Sequence, residues 1–304
     1  MSTAPAGPRP RLHHRADGPA DAPPLLLGPA LGTSLAVWGL QAPGLARNHR
    51  VVRWDLPGHG GSPAGLLPAE GAGVADLARL VLELADALGI DRFACAGISL
   101  GGAVGAWLAV HHPGRIASLA LVCSSARFST PEVWHERAAL VREEGTAVLV
   151  ESAAKRWFTP ALVGSPPAEA LLHDLRAADP ESYAACCDAL AAFDIRSRLS
   201  DITAPTLVVA GRDDQAAPPA DARDMASHIR GAALTEIPGA AHLACVEKPA
   251  PVLAALLGHL ADSADSADSA EPGAAAAGPG ERPGTGTPRS GRPPPPPRPA
   301  GGCG

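Results

Sequence analysis

The pentapeptide Gly97-Ile98-Ser99-Leu100-Gly101 constrains this chain more than any other stretch. It stands between a short apolar run, Phe93-Ala94-Cys95-Ala96, and a longer one, Gly102 to Val110, that reads as a packed helix. A G-x-S-x-G sequence between a buried strand and a helix demands a tight bend, and the bend lifts the serine to the end of a sheet. The glycines leave room for a strained backbone and for a close approach of helix to strand. Ser99 is therefore a candidate nucleophile, and the rest of the chain can be searched for groups that would activate it.

The surrounding pattern supplies the sheet. Leu25-Leu26-Leu27, Val51 to Asp55, Ile116 to Cys123, Thr206 to Ala210 and Thr235-Glu236-Ile237 are short apolar runs that read as strands. Between them, residues 74–88 carry helical spacing in Val74, Leu77, Leu80, Val81, Leu84 and Leu88, with Gly89 as a C-cap. Strands alternating with helices predict an α/β fold, a mostly parallel sheet with helices on both faces. Such sheets bind ligands outside the carboxyl ends of their strands, where Gly28, Ser99 and Gly211 all fall. From Phe128 to Leu199 the alternation stops. Residues 133–157 and 168–193 read as two helices with no strand between them, which predicts an α-helical cap over the site.

Composition sets the outer limits. Residues 1–10 are rich in proline and read as a flexible N-terminus without a targeting signal. The core is expected over 11–127 and 200–261, and the cap over 128–199. From Asp262 three Ala-Asp-Ser copies lead into an Ala/Gly/Pro stretch, so 262–304 is predicted to be a disordered tail. The net charge of -6 is mild and spread along the chain, with no basic stripe that would suit nucleic acid. No apolar run is long enough to span a membrane. The six cysteines show neither metal nor disulfide spacing and are expected to be buried apolar groups in a reducing cytosol. The sequence does not fix an oligomeric state.

A serine hydroxyl needs a general base, and the base needs an acid that fixes its tautomer. Asp214 follows the strand Thr206 to Ala210, and His242 follows Thr235-Glu236-Ile237. The order serine, acid, histidine, each just past a strand, is the one this type of turn requires. Asp213 is the rival acid, but the usual loop geometry would turn it away. His59 is the rival histidine. It lies in the dense turn Pro57-Gly58-His59-Gly60-Gly61-Ser62, where His59 and Asp55 are expected to hold the loop by hydrogen bonds while the three glycines supply positive φ. His111 and His112 close a helix and read as partners of its dipole. An oxyanion would be held by the N–H of Leu100 and by one from the loop after Leu27. Pro29 has no N–H, which leaves Ala30 first and Leu31 second.

Taken together, these segments resemble the 3-oxoadipate enol-lactonase family of the α/β-hydrolase superfamily. The resemblance is carried by Leu31-Gly32-Thr33-Ser34-Leu35-Ala36-Val37-Trp38, by Val51 to Ser62, by Arg156-Trp157-Phe158-Thr159-Pro160, by Ala204 to Arg212 and by Ala240-Ala241-His242-Leu243. It implies an α/β-hydrolase fold and hydrolysis of an enol-lactone to 3-oxoadipate by Ser99, His242 and Asp214, with no metal or cofactor. The substrate is a small lactone bearing a carboxylate, so the cap should offer a cation. Arg137, Arg142, Lys155 and Arg156 are the candidates, and Trp134 and Trp157 are candidates for the pocket wall or for anchors of the cap. The same triad would also serve another carboxylester or lactone hydrolase, a cofactor-free haloperoxidase or a C–C bond hydrolase. A non-catalytic binding protein would keep the pocket without the chemistry.

Overall fold

A computed structural model describes residues 11–269 and Pro295. The expected flexible N-terminus lies outside the described residues, as does most of the expected tail. Seven strands form one sheet in the order β1-β3-β2-β4-β5-β6-β7. They are β1 (His14–Asp17), β2 (Pro24–Gly28), β3 (Arg50–Trp54), β4 (Phe93–Ile98), β5 (Ile116–Val122), β6 (Thr206–Gly211) and β7 (Ala233–Ile237). Every neighbouring pair is parallel except β1 with β3. β4 and β6 are buried at every residue, which requires cover on both faces and explains why their sequences are unbroken apolar runs.

The cover comes from helices of the kind the sequence predicts. α2 (Val74–Ala87) follows the short α1 (Ala42–Leu45) and buries Val74, Leu77, Leu80, Val81 and Leu84, each such side chain contributing about 1.5–3 kcal/mol. It ends where Gly89 adopts a φ of 68°, a left-handed closure that glycine takes without steric cost. α3 (Leu100–His111) packs on β2, β4 and β5. After the cap, α8 (Pro219–His228), the short α9 (Ala244–Glu247) and α10 (Pro249–Ser269) complete the core.

Three expectations need correction. β1 carries no apolar alternation and gave no sequence signal; this edge strand is held to β3 by backbone pairing and by an Arg53–Asp17 ion pair of 2.5 Å. The two long cap helices are four. Gly145, at φ 80°, ends α4 (Pro131–Glu144) before α5 (Val150–Trp157). Asp179 caps a new helix at Pro180, so α6 (Pro166–Ala177) and α7 (Pro180–Ala191) are separate. Finally, the tail does not begin at Asp262. The Ala-Asp-Ser copies continue α10 to Ser269, because alanine is the strongest helix former and the helix is already anchored through buried Val252, Leu256 and Leu260.

Candidate active site

Ser99 sits alone between β4 and α3 with φ 53° and ψ -116°, a conformation a side chain adopts only when its surroundings impose it. The surroundings do so through hydrogen bonds. The Ser99 N–H donates to the Val122 carbonyl at 3.0 Å, and its own carbonyl accepts from Ser124 Oγ at 2.9 Å. The flanking glycines are obligatory in a steric sense. A Cβ on Gly97 would collide with the Gly101 carbonyl, and a Cβ on Gly101 would meet the backbone of Gly28 and Pro29. Leu100 opens α3, so its N–H has no intrahelical acceptor and is free for a ligand.

His242 and Asp214 meet from two different loops. His242 Nδ1 donates to Asp214 Oδ2 at 2.9 Å, and both side chains are almost fully buried. The other carboxylate oxygen of Asp214 accepts the N–H groups of Ala216 and Ala217 at 2.8 and 3.0 Å. The acid is thus satisfied on both oxygens and pointed at one nitrogen, which leaves the histidine Nε2 as the basic atom. Asp213 is exposed, with only its backbone N–H engaged, on Ala240.

His242, Ser99 and Leu31 share a cavity of about 180 Å³ with Trp134, Arg137, Arg156, Trp157 and Tyr183. The structure thus separates the four cationic candidates. Arg142 is paired with Asp188 and Glu181, and Lys155 with Glu151 on an exposed face. Arg137 and Arg156 face the cavity, and among the described residues neither forms an ion pair. Burial, and then the charge of Arg137, lower the Arg156 guanidinium below its ordinary value. Arg137 lies over the Trp134 ring at 4.6 Å. Trp134 lines the cavity, and its indole N–H donates to the Phe128 carbonyl at 2.6 Å. Trp157 is likewise both buried and on the wall. Tyr183 escaped the sequence reading, as a single tyrosine on a helix of alanine and cysteine carries no motif.

The two candidates for the second oxyanion donor differ in their surroundings. Ala30, the expected second donor, does not line the cavity, and its carbonyl accepts from the Thr33 N–H and hydroxyl. Leu31, the second choice, does line it. The dense turn is held as expected: Asp55 accepts from the Leu35 N–H, from the Gly61 N–H and from His13, while His59 Nδ1 donates to the Pro57 carbonyl. Only Gly58 and Gly60 there take positive φ; Gly61 does not, and its Cβ would instead strike the His13 ring. His111 donates to the Trp107 carbonyl at the end of α3. The cavity meets a broader hollow at Ser129, Gln215 and Ala216. Among the described residues, no cluster of His, Cys, Asp and Glu could hold a metal ion, and no helix is long and apolar enough to cross a membrane.

A family model described as the alpha/beta hydrolase fold matches residues 23–249. This chain belongs to that family. It is 37% identical over 240 residues to 3-oxoadipate enol-lactonase 2 of Acinetobacter baylyi, covering 78% of this chain and 88% of that one. It is 35% identical over 264 residues to a protein of Variovorax paradoxus named as a carbamate hydrolase, RutD, covering 82% and 96%. The crystal structure of the enol-lactonase from Burkholderia xenovorans LB400 superposes with a TM-score of 0.79 at 35% identity, over 82% of this chain and 96% of that one. As an α/β hydrolase resembling enol-lactonases, the chain places the strained serine and the histidine of its buried His–Asp pair on the wall of one small cavity.

Proposed function

We propose that this hydrolase opens 3-oxoadipate enol-lactone to 3-oxoadipate, with Ser99 as nucleophile, His242 as base and Asp214 as orienting acid. One observation carries the substrate assignment: Arg137 and Arg156 face the cavity that Ser99 and His242 share, without an ion-pair partner among the described residues. Partly buried cations without counter-charge suit a ligand that brings its own carboxylate. The likeness to enol-lactonases supports the same reading.

In this reading Ser99 Oγ attacks the lactone carbonyl as His242 Nε2 takes its proton. The N–H groups of Leu100 and Leu31 receive the oxyanion. Collapse of the tetrahedral species expels an enolate, a better leaving group than an alkoxide, and the proton held on His242 returns to the opened fragment, which becomes the ketone. A water deprotonated by His242 then cleaves the acyl-serine. The five described cysteines are unpaired and buried, which suits a reducing cytosol, and we place the enzyme there. A second reading is another lactone or ester hydrolase, acting on a larger substrate for which the broad hollow that adjoins the cavity offers room.

A direct assay separates the two. The enol-lactone is expected to be turned over with a kcat/KM about 10²-fold or more above that of p-nitrophenyl acetate, because a cavity with two unpaired cations discriminates against a ligand that leaves them so. Equal or better turnover of the simple ester would remove the enol-lactone assignment. Ser99→Ala should abolish both activities with the fold intact.

A further inference from the structure

Five residues beyond His242, the carboxylate of Glu247 joins two parts of the molecule that sequence keeps far apart. Its Oε1 accepts the backbone N–H of Thr159 at 2.8 Å and the Thr159 hydroxyl at 2.7 Å. Its Oε2 accepts the N–H of Ala241 at 2.5 Å. A second strut runs beside it, from the Leu243 N–H to the Trp157 carbonyl at 3.0 Å. Both neighbours of His242 are therefore tied to the cap segment 157–159. That segment continues directly from Arg156 and Trp157, which line the cavity. The other end of the device is fixed in the core, where Gln41 Nε2 donates to the Cys245 carbonyl of α9 at 2.7 Å.

We infer that Glu247 is a positioning residue: it holds the backbone of His242 and the cap wall of Arg156 and Trp157 in one register, so that base and anion-binding wall are placed together. The inference rests on the assignment of Ser99 and His242 made above. It also gives a role to Thr159, the polar member of the Trp157-Phe158-Thr159-Pro160 segment. A carboxylate is the group this junction needs. All three partners are donors, and only an ionised carboxylate offers acceptors on both oxygens. Glutamine at this position would keep one acceptor and turn an NH₂ toward an N–H, leaving a donor unsatisfied whichever way the amide is flipped.

The test compares Glu247→Gln, Thr159→Val and Thr159→Ser with the wild-type chain on the enol-lactone and on p-nitrophenyl acetate. The rate at which a fluorophosphonate labels Ser99 is followed across pH. A displaced base loses about 10–100-fold in kcat, so Glu247→Gln should lose that much on both substrates. KM should rise for the anionic lactone alone, and the acid limb of the labelling rate should move. Thr159→Val should show a smaller loss of the same pattern, and Thr159→Ser should restore it. A folded Glu247→Gln protein with wild-type kcat and wild-type labelling profile would overturn the inference, as would a change confined to thermal stability. If Glu247→Gln does not fold, Thr159→Val decides: wild-type kcat overturns the inference, and a loss rescued by serine supports it. Failure of the underlying assignment looks different, because Ser99 of the wild-type chain would then not be labelled at all, and the inference would fall with it.

Discussion

The two halves of the cavity handle charge in opposite ways. On the core side, Asp214 is buried and saturated, with one imidazole and two backbone N–H groups on its two oxygens. On the cap side, Arg137 and Arg156 line a small cavity with no ion-pair partner among the described residues. A buried charge whose hydrogen bonds are complete is already doing its work, which here is to aim a histidine. A partly buried charge with no opposite charge beside it carries a desolvation cost that an anionic ligand would offset. The difference teaches where to look for chemistry and where to look for specificity: under the proposed function, the core side sets the reaction and the cap side selects what undergoes it.

The contrast breaks most visibly at Asp214. Asp214→Asn keeps the size of the side chain but lets an amide face the imidazole, favouring the tautomer whose Nδ1 accepts. The proton then sits on Nε2, and the base is lost. A drop of about 10⁴-fold in kcat is expected on charged and uncharged substrates alike, by analogy with the acid of a serine protease triad. Turnover within tenfold of wild type would mean that Asp214 is only a loop brace. Arg156→Met tests the other half. It should raise KM for the carboxylate-bearing lactone about 10–100-fold, the worth of one charge-assisted hydrogen bond. It should leave p-nitrophenyl acetate untouched and cost no thermal stability, since an unpaired cation is being removed. Equal losses on both substrates would show that Arg156 shapes the cavity and does not read charge.

The same division governs what the sequence discloses. The core is legible because its determinants are local. An unbroken apolar run announces β4 or β6, and the glycines around Ser99 announce the turn by steric necessity. Even Asp214 could be preferred over Asp213 from the usual geometry of the loop that follows the strand. The cap resists because its determinants are relational. Gly145 and Pro180 lie inside the two stretches that read as helices, and the structure divides each stretch there. Arg137 and Arg156 look no different from Arg142 until the carboxylates of Glu181 and Asp188 are seen to reach only the last. Ala30 stands before Leu31 in the sequence reading, yet only Leu31 lines the cavity, because which of two adjacent residues faces it depends on a loop that no periodicity describes. β1 and the extension of α10 depart for a third reason: edge pairing needs no apolar pattern, and a helix anchored upstream propagates into alanine-rich sequence that buries little itself.

The smallest expected effect lies at the seam between the halves. His59 belongs to the core turn but stacks on Tyr183 of the cap, with ring centroids 6.0 Å apart. Its Nε2 is buried without a partner. Burial lowers its pKa; the Pro57 carbonyl and the carboxylates of Asp55, Asp174 and Asp179 oppose that shift without reversing it. Above the unfolded value of about 6.5 the imidazole is neutral in both states and nothing is lost. As pH falls below about 6.5, the unfolded chain takes up a proton that the native seam refuses. Stability then declines by up to about 1.4 kcal/mol per pH unit until the native value is reached. His49 and His259, also lowered by burial, add to the slope in the same sense. His59→Phe should flatten the dependence of urea-unfolding free energy on pH by up to one proton below about pH 6.5, while keeping the stack on Tyr183. An unchanged slope would mean that the three carboxylates let native His59 accept the proton, and the seam would then belong with the saturated side of the cavity and not with the side that waits for a ligand.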